Sequence, residues 1–254
     1  MRASSIVTVL AVALVAYAAC DMIHEALGHG VACALTRGVT ALSISTVAVQ
    51  TSSQSRWVAA AGSIANVIAG ALLLLLTHRR ARFDSFTYFL WLLGTLNLLN
   101  GLGYLFFSGL TNTGDWSVVV AGRKPEWLWR GGLALVGALT YVRAVKVAAS
   151  TLARLRPGEA RRLTLPPYIA GGLLLVAGAA MNPIGQSLIW LSGVSSGFGA
   201  MAGLLYVPRL VGTAAHPSQD NGALPFRAGW LVAAALTAAL FVFVIGPGIP
   251  LHPG

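Results

Sequence analysis

Acidic side chains are scarce in this sequence. Seven Asp and Glu stand against 17 Lys and Arg in 254 residues, and charged residues of both signs make up only 9%. A soluble domain carries about 25%. With hydrophobic types at 56%, too few charges are present to cover a water-facing surface, and the same apolar richness excludes a disordered chain. Cysteine is nearly missing too. Cys20 and Cys33 cannot build a disulfide framework, and in apolar sequence they read as small packing residues. The net charge of +10 does not point to nucleic acid, because the basic residues sit in short loops between apolar runs, with no aromatic-interleaved basic face. Membrane topology and anionic lipid explain them better. There is no internal repeat or low-complexity tract. No soluble sensing domain is recognisable, so any regulator is expected on a separate chain.

What is abundant is long apolar runs. A membrane span needs about 20 such residues. Spans are expected near 4–35, 57–77, 86–107, 127–149, 167–182, 186–207 and 228–246, with six as the count if 182–185 is a break within one helix rather than a hairpin. The reading is an all-α polytopic membrane protein of six to seven transmembrane helices. It forms a single transmembrane domain over 1–254, with a core over about 4–120 and additional spans over about 127–246. Between the first two spans, Ser43 and Ser45 partly alternate with Ile44, Val47 and Val49, which suits a short strand or re-entrant hairpin. Gly193 with Gly197, Gly199 with Gly203, and Ala61-Gly62-Ser63 are expected helix contacts.

Arg2 followed by Ile6–Ala19 resembles a signal-peptide start, Ala16-Tyr17-Ala18 a cleavage site and Ala18-Ala19-Cys20 a lipoprotein box; an uncut helix is expected instead, because the polar group just beyond makes more sense on an intact span, and Tyr17 stands where a lipoprotein box wants an aliphatic residue. With the N-terminus in the cytoplasm, 12 of the 17 basic residues fall on the cytoplasmic side and 5 on the other, as the positive-inside rule favours. The expected location is the cell (inner) membrane, multi-pass.

Ionisable groups concentrate in the first span, in Cys20-Asp21-Met22-Ile23-His24-Glu25-Ala26-Leu27-Gly28-His29-Gly30. Each buried acid costs about 2.5–3.5 kcal/mol at mid-membrane on insertion scales. A divalent cation offsets that cost, because two imidazoles and a carboxylate then have a charge to coordinate. His-Glu-x-x-His places two imidazoles about 40° apart on an α-helix, both able to reach one ion. Here the spacing is i,i+5, and an ideal α-helix would separate the rings by about 140°. They converge only if the helix bulges or unwinds, and Gly28, directly before His29, is expected to relax the backbone enough to permit it.

These residues resemble the site-2 proteases, intramembrane zinc metalloproteases that carry His-Glu-x-x-His in an early span. His24-Glu25-Ala26-Leu27-Gly28-His29-Gly30 looks like that motif with one residue inserted. Ala61-Gly62-Ser63-Ile64-Ala65-Asn66 resembles the family's Gly-Pro-small-Ala-Asn segment with Ser63 in the place of proline. Asn97-Leu98-Leu99-Asn100-Gly101, followed by Gly114-Asp115, resembles its Asn…Asp-Gly segment, at a longer spacing. The three segments lie within 20–116. The inserted residue is also similar to the His-Glu-x-x-Gly-His of dipeptidyl peptidase III, over six residues only. The resemblance implies a zinc ion held by His24, His29 and an Asp from a later span, with Glu25 activating a water at the open position for attack on a peptide bond.

Elimination approaches the third ligand independently. Asp21 and Glu25 share the first helix, Asp84, Glu159 and Asp220 fall in loops, and Glu126 stands beside Lys124; Asp115 remains, with His78, His216 and His252 as alternatives. Cys20 and Cys33 flank the histidines and are weaker ligand candidates. Asp21 reads either as a hydrogen-bonding support for a ligand histidine or as a cap for a polar neighbour. Asn66, Asn97, Asn100 and Asn112 are candidates for gripping an unwound substrate strand, each with interhelical hydrogen bonding as the plainer reading. The expected substrate is a membrane protein or peptide within the lipid bilayer. The competing readings are a metal-binding membrane transporter and a membrane metalloenzyme acting on a lipid or small molecule.

Overall fold

The computed structural model describes residues 3–80, 82–185, 187, 189–213 and 223–251. Among the described residues, seven helices are long and apolar enough to cross a membrane. They are α1 (Ile6–Leu35), α2 (Arg56–His78), α3 (Ser85–Thr111), α5 (Glu126–Leu155), α6 (Pro157–Ala180), α7 (Ile189–Gly212) and α8 (Ala228–Ile245). A short helix, α4 (Asp115–Val120), lies between α3 and α5. Strands β1 (Ala41–Ile44) and β2 (Val49–Thr51) form the hairpin expected after the first span. Strand β3 (Ile249–Pro250) pairs antiparallel with the other edge of β1, giving the order β2-β1-β3.

Polar residues at the helix starts cap the long spans. Ser5, Ser55 and Asp84 accept hydrogen bonds from the main-chain N–H groups of Thr8, Val58 and Thr87 and so satisfy orphan donors. The core lies between α1, α3 and α5, where Tyr17, Tyr88, Trp91, Leu96 and Leu152 are fully buried. Trp91 donates its indole N–H to the Ala148 carbonyl at 3.0 Å.

The fifth span departs from expectation. The span was expected near 167–182, yet the helix begins ten residues earlier and carries Pro166 and Pro167 inside. Proline lacks the N–H that would bond four residues back. The Tyr88 hydroxyl supplies the missing donor by bonding the Leu163 carbonyl at 2.9 Å. Gly193 and Gly197 do mark a contact, against Ala179 and Gly172 of α6. Gly203 meets Leu99 and Tyr141, whereas Gly199 faces open space and marks no contact.

The two ends of the bundle are distinct. At one, the Ser4 amide donates to the Glu159 carboxylate and the Leu224 amide to the Ser4 hydroxyl. At the other lie the three-stranded sheet and α4, tied to the start of α2 by Arg56 donating to the Ala121 carbonyl at 2.7 Å. The polar stretch of α1 lies toward this second end.

Candidate metal centre

The polar stretch of α1 is a π-helix over Ile23–Gly30, flanked by α-helix on both sides. The Val31 N–H bonds the Ala26 carbonyl five residues back. In that hydrogen-bond register i and i+5 take the place that i and i+4 hold in an α-helix. The rings of His24 and His29 therefore meet, with centroids 4.8 Å apart and planes at 82°. Leu27, the exposed residue of this turn, faces outward at 61% exposure.

Gly28 serves a different purpose from the expected one. Its φ is not positive, so no special backbone freedom is used. A β-carbon there would lie 2.5 Å from the Cα of Gly62, so glycine is needed for α1 to pass close to α2. Gly62 is equally constrained. A β-carbon on it would stand 2.5 Å from Nε2 of His29 and 2.7 Å from Nε2 of His24. Both ring nitrogens thus point at one small volume, kept open by a missing side chain.

The other ring nitrogens are already committed. Nδ1 of His24 lies 2.6 Å from Oδ1 of Asn66, and Nδ1 of His29 lies 2.7 Å from the Val58 carbonyl. Each partner oxygen only accepts, so each Nδ1 donates, and Nε2 of the neutral ring is left with a lone pair. Into the same space comes Oδ2 of Asp115, 3.0 Å from Nε2 of His24 and 3.3 Å from Nε2 of His29. A carboxylate oxygen against two nitrogen lone pairs is repulsive unless positive charge lies among them. A divalent cation resolves that conflict with all three atoms as ligands. Tetrahedral bonds of about 2.0–2.1 Å imply ligand separations of about 3.3 Å, which the observed distances match.

Asp115 reaches the site through a turn. Asn112 ends α3 in the left-handed conformation at φ 57°, Gly114 follows at φ 76°, and α4 starts at Asp115. Glu25 completes the group. It is buried, its Oε2 has no hydrogen-bond partner, and the main-chain amide of Val49 in the hairpin lies beside its carboxylate. Ligand-type atoms of His24, Glu25 and His29 all lie within 4.8 Å of one another, so this buried group could hold a metal ion. Oδ2 of Asp115, at 3.0 and 3.3 Å from the two Nε2 atoms, is a further carboxylate oxygen within reach of the same ion. Glu25, His29 and Asp115 line a cleft of about 170 Å³ with Tyr104, Val58 and the hairpin.

No family model, curated protein or solved structure matches this chain.

The remaining candidates fall elsewhere. Asn66, Asn97 and Asn100 are buried and bonded to one another rather than lining the cleft. The Asn66 amide donates to Oδ1 of Asn97 at 2.7 Å and to the Cys20 carbonyl at 3.2 Å, and Asn100 donates to Oδ1 of Asn66 at 3.4 Å. Asn66 therefore orients His24, because its two donors are spent and its oxygen faces the ring. Asn112 is a helix cap that donates to Glu126. Asp21 bonds neither imidazole, since Asn66 and Val58 occupy the Nδ1 positions; it lies one turn before Glu25. Cys20 and Cys33 are buried free thiols outside the group. His78 ends α2 away from the site, and His216, His252 and Asp220 lie outside the described residues. Tyr104 was missed by sequence reasoning: its ring is 4.9 Å from that of His24. An aromatic residue in an apolar run carries no signal of such a place.

Proposed function

We propose that the protein is a membrane-embedded zinc metalloprotease, with His24, His29 and Asp115 as the metal ligands. The observation that carries this reading is the convergence of two imidazole Nε2 atoms and one carboxylate oxygen beside an unpartnered Glu25. Imidazole and carboxylate donors in a small tetrahedral set suit zinc. Zinc, when bound, supplies the positive charge that acidifies a water and polarises a carbonyl. Glu25 takes the proton of the attacking water and returns it to the leaving amine. The Val49 main chain borders the same cleft as this carboxylate. Asn66 and the Val58 carbonyl keep each imidazole proton on Nδ1, leaving Nε2 free as a ligand. The peptide bond must be presented unwound, because helical carbonyls and amides are already paired. Strand β2 borders the cleft and offers main-chain groups to an extended segment.

The basic residues favour a cytoplasmic N-terminus in the cell (inner) membrane, since counting along the order of spans assigns 12 of 17 to that side. The metal centre then faces the outer half of the bilayer. Metal analysis of purified wild type and of His24→Ala, His29→Ala and Asp115→Ala tests the ligand set, with one zinc per chain expected only in the wild type. Glu25→Gln is expected to keep zinc and lose cleavage. Sequencing of new N-termini in membranes of cells producing wild type or Glu25→Gln reads that loss; identical sets would overturn the protease reading.

A further inference from the structure

A second hollow, larger than the metal cleft, lies on the other side of Tyr104. It measures about 500 Å³ and is enclosed by α3, α5 and α7, with Phe107, Ala138, Tyr141, Ser196 and Ala202 among its walls. Tyr104 lines both spaces. Its ring packs against His24, and its hydroxyl faces that of Ser196. Phe106, Leu110, Val142 and Leu191 also line the chamber and are about half exposed, so it opens sideways where the bilayer lies. The α7 wall is not regular α-helix. It runs as π-helix over Ile189–Gly199 and as 3-10 helix over Ala200–Leu205, forms that recur at functional sites and hinges.

We infer that this chamber receives the apolar side chains of a locally unwound membrane-spanning peptide, and that Tyr104 divides this specificity site from the metal cleft. The inference rests on the protease reading above. Size decides the form of the occupant. Even ten residues of α-helix, about 15 Å long and 10 Å across, fill more than about 1,000 Å³, twice the chamber. An extended stretch with two or three large side chains fits. The lining decides the chemistry: no charged side chain is among the described residues that line it, so a charged substrate residue would be desolvated without a partner. An acyl chain would match the apolar wall equally. The space beyond Tyr104, however, is bordered by the hairpin main chain at Val47–Val49, which an amide backbone can bond and a hydrocarbon cannot.

Photo-crosslinking of the full chain in lipid nanodiscs tests this, with zinc and with chelator. The probe is a membrane-spanning polyleucine peptide of about 20 residues. Its helix is interrupted by Asn-Gly, with a diazirine leucine beside the break. Uninterrupted peptide and a diazirine fatty acid serve as comparators. Labelling of Phe107, Leu191 or Ala202 by the interrupted peptide is expected. Ala138→Phe and Ala202→Phe should each cut it about tenfold or more, the scale a filled apolar subsite costs. The variants lie on different helices, and unchanged zinc content and monodispersity show that each is folded. Labelling confined to outer helix faces and unmoved by either variant overturns the inference. So does fatty-acid labelling of the chamber that the interrupted peptide does not displace. Because labelling needs no metal, chamber labelling without zinc or cleavage supports the inference and counts against the protease reading alone.

Discussion

Gly62 presents bare backbone to the imidazole of His29, and the volume of its missing methyl group is the volume in which a shared cation would sit. Two helices thus define the centre, one by what it carries and the other by what it omits. Gly62→Ala would place carbon 2.5 Å from His29 Nε2 and 2.7 Å from His24 Nε2. Those distances leave no room for an ion. The expected outcome is loss of stoichiometric zinc from a protein that retains its helical circular dichroism. Wild-type zinc content in this variant would remove the ion from between the two rings.

Asn66 supports His24 from behind through a 2.6 Å hydrogen bond. Asn66→Ala removes the acceptor that fixes the ring's proton on Nδ1, and outer supports of this kind are worth about 10–100-fold in metal affinity. It also strips the hydrogen bonds to Asn97 and the Cys20 carbonyl, so thermal stability should fall as well. Asn66→Asp keeps the acceptor and should recover much of the affinity. Zinc titration of the three proteins, each melted in parallel, separates the orienting effect from the structural one.

Much of this centre could be read in the sequence, and the parts that could not share a cause. His24, Glu25 and His29 stand out because charge in an apolar run is costly, and Asp115 because so few acids compete with it. The i,i+5 spacing itself implies a widened turn. The orienting role of Asn66 depends on how α1, α2 and α3 cross, which no local pattern specifies. The Val58 carbonyl is a main-chain group with no side-chain signature. Gly28 was legible as a special residue but for the wrong reason, since close approach to α2 rather than an unusual φ requires it. Strand β3 is two residues long and pairs with a strand some 200 positions earlier, so periodicity could not show it.

The Tyr88 hydroxyl takes the place of a main-chain donor that Pro167 lacks. Both the hydroxyl and the Leu163 carbonyl are buried, so Tyr88→Phe leaves a carbonyl without a partner in the bundle interior. That loss costs about 1–3 kcal/mol. Lower thermal stability with unchanged zinc content is the expected result, because Tyr88 lies far along α3 from the metal centre. An unchanged melting temperature would mean that the carbonyl finds another donor or that the helix bends locally.

The π-turn makes the sharpest demand. Its extra residue is needed only because the histidines are five apart, and Leu27 projects outward without joining the core. Deleting Leu27 leaves His-Glu-Ala-Gly-His, whose imidazoles would lie about 40° apart on an ordinary α-helix. The glycine that packs on Gly62 would still precede the second histidine. Zinc binding should therefore survive the deletion, with the turn reverting to α-helical hydrogen bonding. Inserting one alanine after Leu27 instead makes the spacing i,i+6. No α register brings those rings together, since they would diverge by about 120° in the opposite sense. Zinc should be lost. Metal analysis of the two variants beside wild type gives the answer: retention in the deletion and loss in the insertion follow if a widened turn alone unites the histidines, and the reverse pattern would mean that some other distortion does.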